Sequence, residues 1–87
     1  MDYRIDFAKS ARKELENLPH KEQRRVADAI GKLSANPRHD GVIKMTNKGD
    51  QYRVRVGNYR IVFCILDREI VVFIIAIDNR KDIYRKR

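Results

Sequence analysis

Polar and apolar residues alternate at the start of the chain and then take up helical spacing. The segment Tyr3–Phe7 alternates with period two, which predicts a short strand. In Ala8–Leu18, and again from about Lys21 to Ala35, apolar residues recur at intervals of three and four, which predicts two amphipathic helices. A proline separates them, and Pro37 ends the second because helix is disfavoured just before a proline. The two helices form a hairpin that must bury one face.

The C-terminal half predicts a sheet. After a polar loop, Arg38–Asp50, the pattern predicts three strands, namely Gln51–Val56, Tyr59–Leu66 and Glu69–Ile77. Gly57-Asn58 predicts a two-residue type II′ turn, because glycine accepts the positive φ required at the first position. Asp67-Arg68 supplies the next turn. The run Ile70–Ile77 is apolar without alternation, which is typical of a central strand covered on both faces.

These elements predict an α+β fold of order β-α-α-β-β-β. Its C-terminal sheet is antiparallel, the N-terminal helical hairpin packs on one face, and a short basic tail starts at Arg80. We expect one domain over residues 1–87, because 87 residues are too few for two. The pattern leaves open which strand pairs with the first one.

The predicted turn fixes which side chains share a face of the sheet. It pairs Arg55 with Arg60 and alternation then follows along both strands. One face is almost wholly apolar and should lie under the helices; it carries Tyr52, Val54, Val56, Tyr59, Ile61, Phe63 and Ile65. The opposite face carries Arg53, Arg55, Arg60, Val62 and Cys64, with no Glu or Asp between the arginines.

Composition adds the expectation of an acidic partner. The net charge of +8 and the pI near 10.0 favour nucleic acid first, then an acidic protein, then an anionic membrane surface. One cysteine excludes a disulfide framework and fits a reducing cytoplasm. The two histidines, His20 and His39, lie far apart without other ligands at metal-binding spacing, so we predict no metal and no cofactor. No apolar run is long enough to span a bilayer.

The arginine face has two interpretations. Most charged faces are simply solvated, and the basic tail RKDIYRKR can likewise be only solubilising. However, Arg55 and Arg60 are predicted to be cross-strand neighbours of like charge, which destabilises the free sheet. Guanidinium groups bind phosphates in pairs, and this favours an anion-binding face. Tyr84 among the tail cations suits stacking on a base, although it could equally cap the sheet edge.

The whole chain resembles the RelE/ParE superfamily of bacterial and archaeal toxins, and its RelE branch in particular. The resemblance lies in the hairpin YRVRVGNYRIVF, the strand DREIVVFIIAI and an ending in which Arg80 is followed by Tyr84. It implies a ribosome-dependent endoribonuclease that cuts mRNA in the A site without a metal, by attack of a 2′-hydroxyl on the adjacent phosphate. By motif position, the implied catalytic residues are Arg55, Arg60, Arg80 and Tyr84; the expected RNA-binding residues are Arg53, Lys44, Lys81 and Arg85.

One departure from the RelE pattern bears on mechanism. The family has lysines at the positions of Arg53 and Arg55, and one of them is its proposed general base. Arginine is a poor base, because its pKa lies above about 12. The C-terminal half offers no Glu or His apart from Glu69 in a turn. The arginines are therefore expected to act electrostatically, by holding the phosphate and stabilising charge that develops in the transition state.

The resemblance also implies partners. These are an acidic RelB-like antitoxin encoded alongside, the A site of the small ribosomal subunit with its mRNA, and operator DNA only through the antitoxin complex. A cytoplasmic location and no membrane contact are expected. Two alternatives remain open. One is a ParE-like inhibitor of DNA gyrase, and the other is a basic RNA-binding module without catalysis.

Overall fold

The computed structural model describes residues 2–46 and 49–79. In chain order its elements are β1 (Arg4–Phe7), α1 (Lys9–Glu16), α2 (His20–Ala35), β2 (Ile43–Lys44), β3 (Gln51–Val56), β4 (Tyr59–Leu66) and β5 (Val71–Asn79). The α+β architecture predicted from the sequence is confirmed. The structure adds β2, a strand of two residues within the segment expected to be a loop. No helix in residues 2–46 and 49–79 is both long and apolar enough to cross a bilayer.

The strands form one mixed sheet. Their order is β1-β5-β4-β3-β2, in which β1 runs parallel to β5 and the other neighbours are antiparallel. The pairing of β1 with β5, left open by the sequence, places the first strand of the chain beside the last one described. β5 is an interior strand, as its apolar run predicts.

Prolines set the helix boundaries. Pro19 stands immediately before α2, which begins at His20 rather than at Lys21. Asn36 is extended, with φ −154° and ψ 95°, as expected of a residue that precedes a proline. α1 is shorter at both ends than the predicted Ala8–Leu18.

The core lies between the helices and one face of the sheet. The helices contribute the predicted stripes, and the sheet contributes the apolar face defined by the β3–β4 turn. The buried residues of the core, from helices and sheet together, are Ala11, Val26, Ile30, Leu33, Val54, Ile61, Phe63, Ile65, Val72, Ile74 and Ile77. The helix-facing side of β5 is buried in this core. On its other side Val71 is buried, but Phe73 and Ala76 are only half-buried, so that face is less covered than predicted.

The turn between β4 and β5 is longer than predicted. It spans residues 67–70, so β5 begins at Val71 rather than at Glu69. The Ile70 N–H donates to the Asp67 carbonyl oxygen at 3.2 Å, and Ile70 has a φ of 56°. Positive φ is unusual for a β-branched residue. The two residues expected to open the strand therefore close the turn instead.

The β3–β4 turn has the predicted type II′ character. Gly57 has a φ of 60°. Among the described non-glycine residues, positive φ occurs at Ile70 and not at Asn58, so Asn58 has a negative φ. Type II′ requires this combination. A Cβ atom on Gly57 would also lie 3.3 Å from Nη2 of Arg25 on α2.

Two glycine-to-alanine changes should have opposite effects on stability. Gly57→Ala should lower the free energy of unfolding by about 1–2 kcal/mol, because an L side chain is strained at positive φ. Gly31→Ala is the control, since a Cβ there meets nothing within 4 Å on the exposed face of α2. Gly31→Ala should raise the free energy of unfolding by about 0.5–1 kcal/mol, because alanine is favoured over glycine inside a helix. Urea denaturation measures both values, and equal effects at the two positions would contradict the assigned turn geometry.

Candidate functional site

Three arginines lie together on the sheet face that points away from the helices. Val54 pairs with Ile61 and Arg55 with Arg60, as predicted, while Arg53 pairs with Val62. Because Val54 and Ile61 are buried in the core, alternation directs the arginines to the opposite face. We call Arg53, Arg55 and Arg60 the arginine surface.

The arginine surface lines one cavity. Arg53, Arg55 and Arg60 enclose about 230 Å³ together with Gly41 and Ile43. Ile43 reaches this position because β2 pairs with β3, which sets Ile43 opposite Arg53. Its side chain is 53% exposed. An apolar wall beside three guanidinium groups suits a ligand that carries both a phosphate and a less polar part.

The three arginines have no side-chain hydrogen bond or ion pair to any other residue of the described segments. Elsewhere on the same sheet face Arg4 pairs with Asp6 at 3.2 Å. Like charges directly opposite each other destabilise a sheet. The arginine surface thus keeps its hydrogen-bond donors available for an anion.

A β-bulge brings one carboxylate next to this surface. Phe63 pairs with Ile74 but Val62 pairs with Ala76, so Ile75 is left without a partner on β4. The extra residue reverses the alternation of β5. Asp78 consequently lies opposite Arg60 on the arginine face. The hairpin itself has no Glu or Asp between its arginines, as predicted; the acidic neighbour comes from β5, which the prediction did not include.

Glu14 of α1 secures the end of β5. β1 pairs with β5 only as far as Ile74, and beyond that point no described strand neighbours the β1 side of β5. The Ile77 N–H donates to Oε1 of Glu14 at 2.9 Å. A helix carboxylate thus replaces a strand partner immediately before Asp78.

Lys44 is separated from the arginine surface. Its register partner is Tyr52, which lies on the helix-facing side of the sheet, whereas the neighbouring Ile43 lies on the arginine side. Lys44 does border, with Arg53, a second depression of about 250 Å³ at the sheet edge. Its role in binding RNA stays a prediction. The other predicted site residues, Arg80, Lys81, Tyr84 and Arg85, lie outside the described residues.

Cys64 shares the arginine face but has the wrong protonation state for a nucleophile. Burial raises the pKa of its thiol, and the nearby negative charge of Asp50 raises it further. The thiolate is the nucleophilic form of cysteine, so both effects keep Cys64 unreactive at neutral pH.

Comparison with known proteins identifies the family. The sequence model for the ParE toxin of type II toxin–antitoxin systems, parDE, matches residues 5–84. Toxin RelG of Mycobacterium tuberculosis is 33% identical over 87 residues, which cover 99% of this chain and 100% of the relative. This chain belongs to the RelE/ParE toxin family. It is a RelE-like toxin of a type II toxin–antitoxin system.

Solved structures agree with this assignment of the toxin. A chain of the archaeal RelE–RelB complex from Pyrococcus horikoshii is 32% identical and superposes with a TM-score of 0.78; the match covers 92% of the toxin and 97% of that chain. A chain of the toxin–antitoxin complex RelBE2 from Mycobacterium tuberculosis is 28% identical with a TM-score of 0.81, over 92% of the toxin and 100% of that chain.

A cluster around Asp67 holds the segment that leads to β2. Arg38 donates from Nη1 and Nη2 to the two carboxylate oxygens of Asp67, at 3.1 and 2.9 Å, and the Tyr3 hydroxyl donates to the same carboxylate at 2.9 Å. The Arg38 guanidinium also lies over the Tyr52 ring, 5.5 Å from its centroid. The cluster fixes the chain shortly before Ile43, which forms a wall of the arginine cavity.

The same contacts perturb ionisation in the toxin. The hydrogen bonds from Arg38, and secondarily from Tyr3, hold the pKa of Asp67 below its ordinary value. The bond to Asp67 raises the pKa of Tyr3. A lowered carboxyl pKa in the folded state means that folding favours the ionised form of Asp67.

We expect Asp67→Asn to lower the melting temperature at pH 7. The contribution of Asp67 is present above the ordinary aspartate pKa of about 3.9 and is lost as the pH falls through the lower folded-state pKa. The difference in melting temperature between wild type and variant should therefore narrow below about pH 4. Thermal melts across this range measure it, with Asp28→Asn as an exposed control on α2. A difference that stays constant with pH would mean that the charge of Asp67 does not stabilise the fold.

Proposed function

We propose that the toxin is a ribosome-dependent endoribonuclease that cleaves mRNA in the A site and thereby inhibits translation. The observation that carries the proposal is the arginine surface, in which Arg53, Arg55 and Arg60 line one cavity without a side-chain partner in the described segments. Three permanent cations grouped in this way suit a phosphodiester. Membership in a family with RelE relatives supports RNA rather than another polyanion.

The chemistry of the arginines suits phosphoryl transfer. When a 2′-hydroxyl attacks the adjacent phosphate, negative charge grows on the phosphate oxygens. Guanidinium groups placed in advance stabilise that charge in the transition state. In this proposal Arg55 and Arg60 hold the phosphate and Arg53 binds the neighbouring backbone. Arg80 steadies the leaving 5′-oxygen, and Tyr84 stacks on a base and orients the 2′-hydroxyl.

We further infer that an acidic RelB-like antitoxin binds and neutralises the toxin. The similar chains from Pyrococcus horikoshii and Mycobacterium tuberculosis come from complexes with an antitoxin. A net charge of +8 favours an acidic partner, and like-charged partners would be repelled.

Cleavage should depend on the arginine surface. Arg55→Ala and Arg60→Ala should each lower the single-turnover rate by about 10²–10³-fold, because each removes a donor to the developing charge. The control is Arg4→Ala, which removes an arginine of the same sheet face that is already paired with Asp6. Primer extension on mRNA in programmed ribosomes detects the cut as a new 3′ end within the A-site codon.

Two outcomes would contradict the proposal. Full cleavage by both variants would show that the arginine surface does not act on the phosphate. An uncut message with the wild type would turn attention to DNA gyrase, since the matching family model describes ParE. Loss of gyrase supercoiling activity in the presence of the toxin would then establish the alternative.

The inferred antitoxin can be tested by purification. The product of the gene beside the toxin should co-purify with it, and the complex should no longer cleave mRNA. Part of the binding should weaken as salt is raised, because screening shortens the reach of charge interactions. Failure of any neighbouring acidic product to bind would contradict the inference.

A further inference from the structure

The proposed cleavage needs a group that accepts a proton, and the arginine surface cannot supply one. Attack by a 2′-hydroxyl requires that its proton leave as the bond to phosphorus forms. Arginine stays protonated in proteins and has no acceptor atom. A carboxylate that lies beside the arginines is therefore the group to look for, provided that the proposed function holds.

Only one carboxylate of the described segments is a direct sheet neighbour of the arginine surface. Arg55 pairs with Arg60 across β3 and β4, and Arg60 pairs with Asp78 across β4 and β5. The three side chains form a row on one face of the sheet, ordered cation, cation, anion. Directly opposite side chains have Cβ atoms about 4.5–5.5 Å apart. A phosphate held at Arg60 would thus lie on the same face of the sheet as the Asp78 side chain, beside it in register.

Asp78 occupies this face only because of the bulge at Ile75. Val72 and Ile74 face the core, and regular alternation would carry Ala76 and Asp78 to the core as well. The bulge brings Ile77 into the core instead, where it is 4% exposed, and turns Asp78 outward. Bulges that re-aim a side chain are frequent next to active sites. The Ile77–Glu14 hydrogen bond then fixes the backbone beside it.

Three other carboxylates near the sheet are engaged elsewhere. Asp6 pairs with Arg4, and Asp67 accepts hydrogen bonds from Arg38 and Tyr3. Glu14 belongs to α1, on the helix side, and accepts the Ile77 N–H. Asp78 has no ion pair or side-chain hydrogen bond to the rest of the described segments. Within the described segments, the lone pairs of the Asp78 carboxylate are therefore available to accept a proton.

We propose that Asp78 is the proton acceptor for RNA cleavage. Its carboxylate takes the proton of the 2′-hydroxyl while the 2′-oxygen forms a bond to phosphorus. The bond from phosphorus to the 5′-oxygen breaks, and that oxygen takes a proton from water. The products are a 2′,3′-cyclic phosphate and a 5′-hydroxyl, after which Asp78 returns its proton to solvent.

Two cations and one carboxylate of the described segments lie around Asp78. From β4 it faces Arg60, with Arg55 beyond it on β3, and from α1 the carboxylate of Glu14 approaches the preceding residue. If Asp78 is replaced by a side chain that accepts no proton, hydroxide must remove the proton of the 2′-hydroxyl instead, so the cleavage rate should depend on pH more steeply than in the wild type.

The test compares wild type with Asp78→Asn in single-turnover cleavage of mRNA on programmed ribosomes between about pH 6 and pH 9. The variant should be at least about 100-fold slower at pH 7, the usual scale for loss of a general base. The cleavage rate of the variant should also rise about tenfold per pH unit, because hydroxide must then remove the proton, whereas the wild-type rate should depend on pH less steeply. Asp78→Glu should recover part of the rate.

The control is Asp6→Asn, which neutralises another carboxylate of the same sheet face and should leave the rate unchanged. Thermal melts of each variant check that it is folded. If Asp78→Asn cleaves at the wild-type rate, or is slower by the same factor at every pH, Asp78 is not the acceptor. If the wild type leaves the mRNA uncut, the proposed function fails and this inference fails with it.

Discussion

The register between β3 and β4 is the constraint on which the rest of this toxin depends. The tight turn at Gly57-Asn58 admits one pairing, and that pairing turns Val54, Ile61 and Phe63 into the core. A shift by one residue would reverse the faces of a strand and place arginines under the helices. Burying unpaired guanidinium groups is far more costly than exposing them. The arginines are therefore grouped by the same choice that forms the core.

Grouping the arginines carries an electrostatic cost that only part of the structure offsets. Arg55 and Arg60 repel each other across the hairpin, and Asp78 is the one acidic side chain of the described segments directly beside them in register. A simple solvated face explains exposure, but it does not explain why the charged residues on one side of the hairpin are all cations. An anionic ligand removes the repulsion. Relief of the repulsion between Arg55 and Arg60 would then contribute to the free energy of binding.

The pattern of apolar and polar residues predicted those parts of the fold that depend on residues close together in the sequence. The helical stripes, the hairpin and its register followed from spacing and turn chemistry, and so did the position of the arginine surface. The parallel pairing of β1 with β5 could not be predicted, because it joins segments far apart in the sequence. Alternation within β1 does not indicate which strand lies beside it. The bulge at Ile75 was also hidden, since β5 is apolar on both sides up to Ile77 and either alternation fits. Asp78 was missed for this reason and because the predicted strand ended at Ile77, whereas β5 extends to Asn79.

The proposed function places the arginine surface within a larger assembly, and electrostatics supplies a reason for this. In bulk water a pair of unit charges about 4 Å apart interacts with only about 1 kcal/mol. The same charges act much more strongly once a partner excludes water and lowers the local dielectric. In the proposed function, free RNA would leave much of this surface hydrated, whereas mRNA held in a ribosomal site would cover it. The proposed catalyst would thus be weak in solution and active where its substrate is already enclosed.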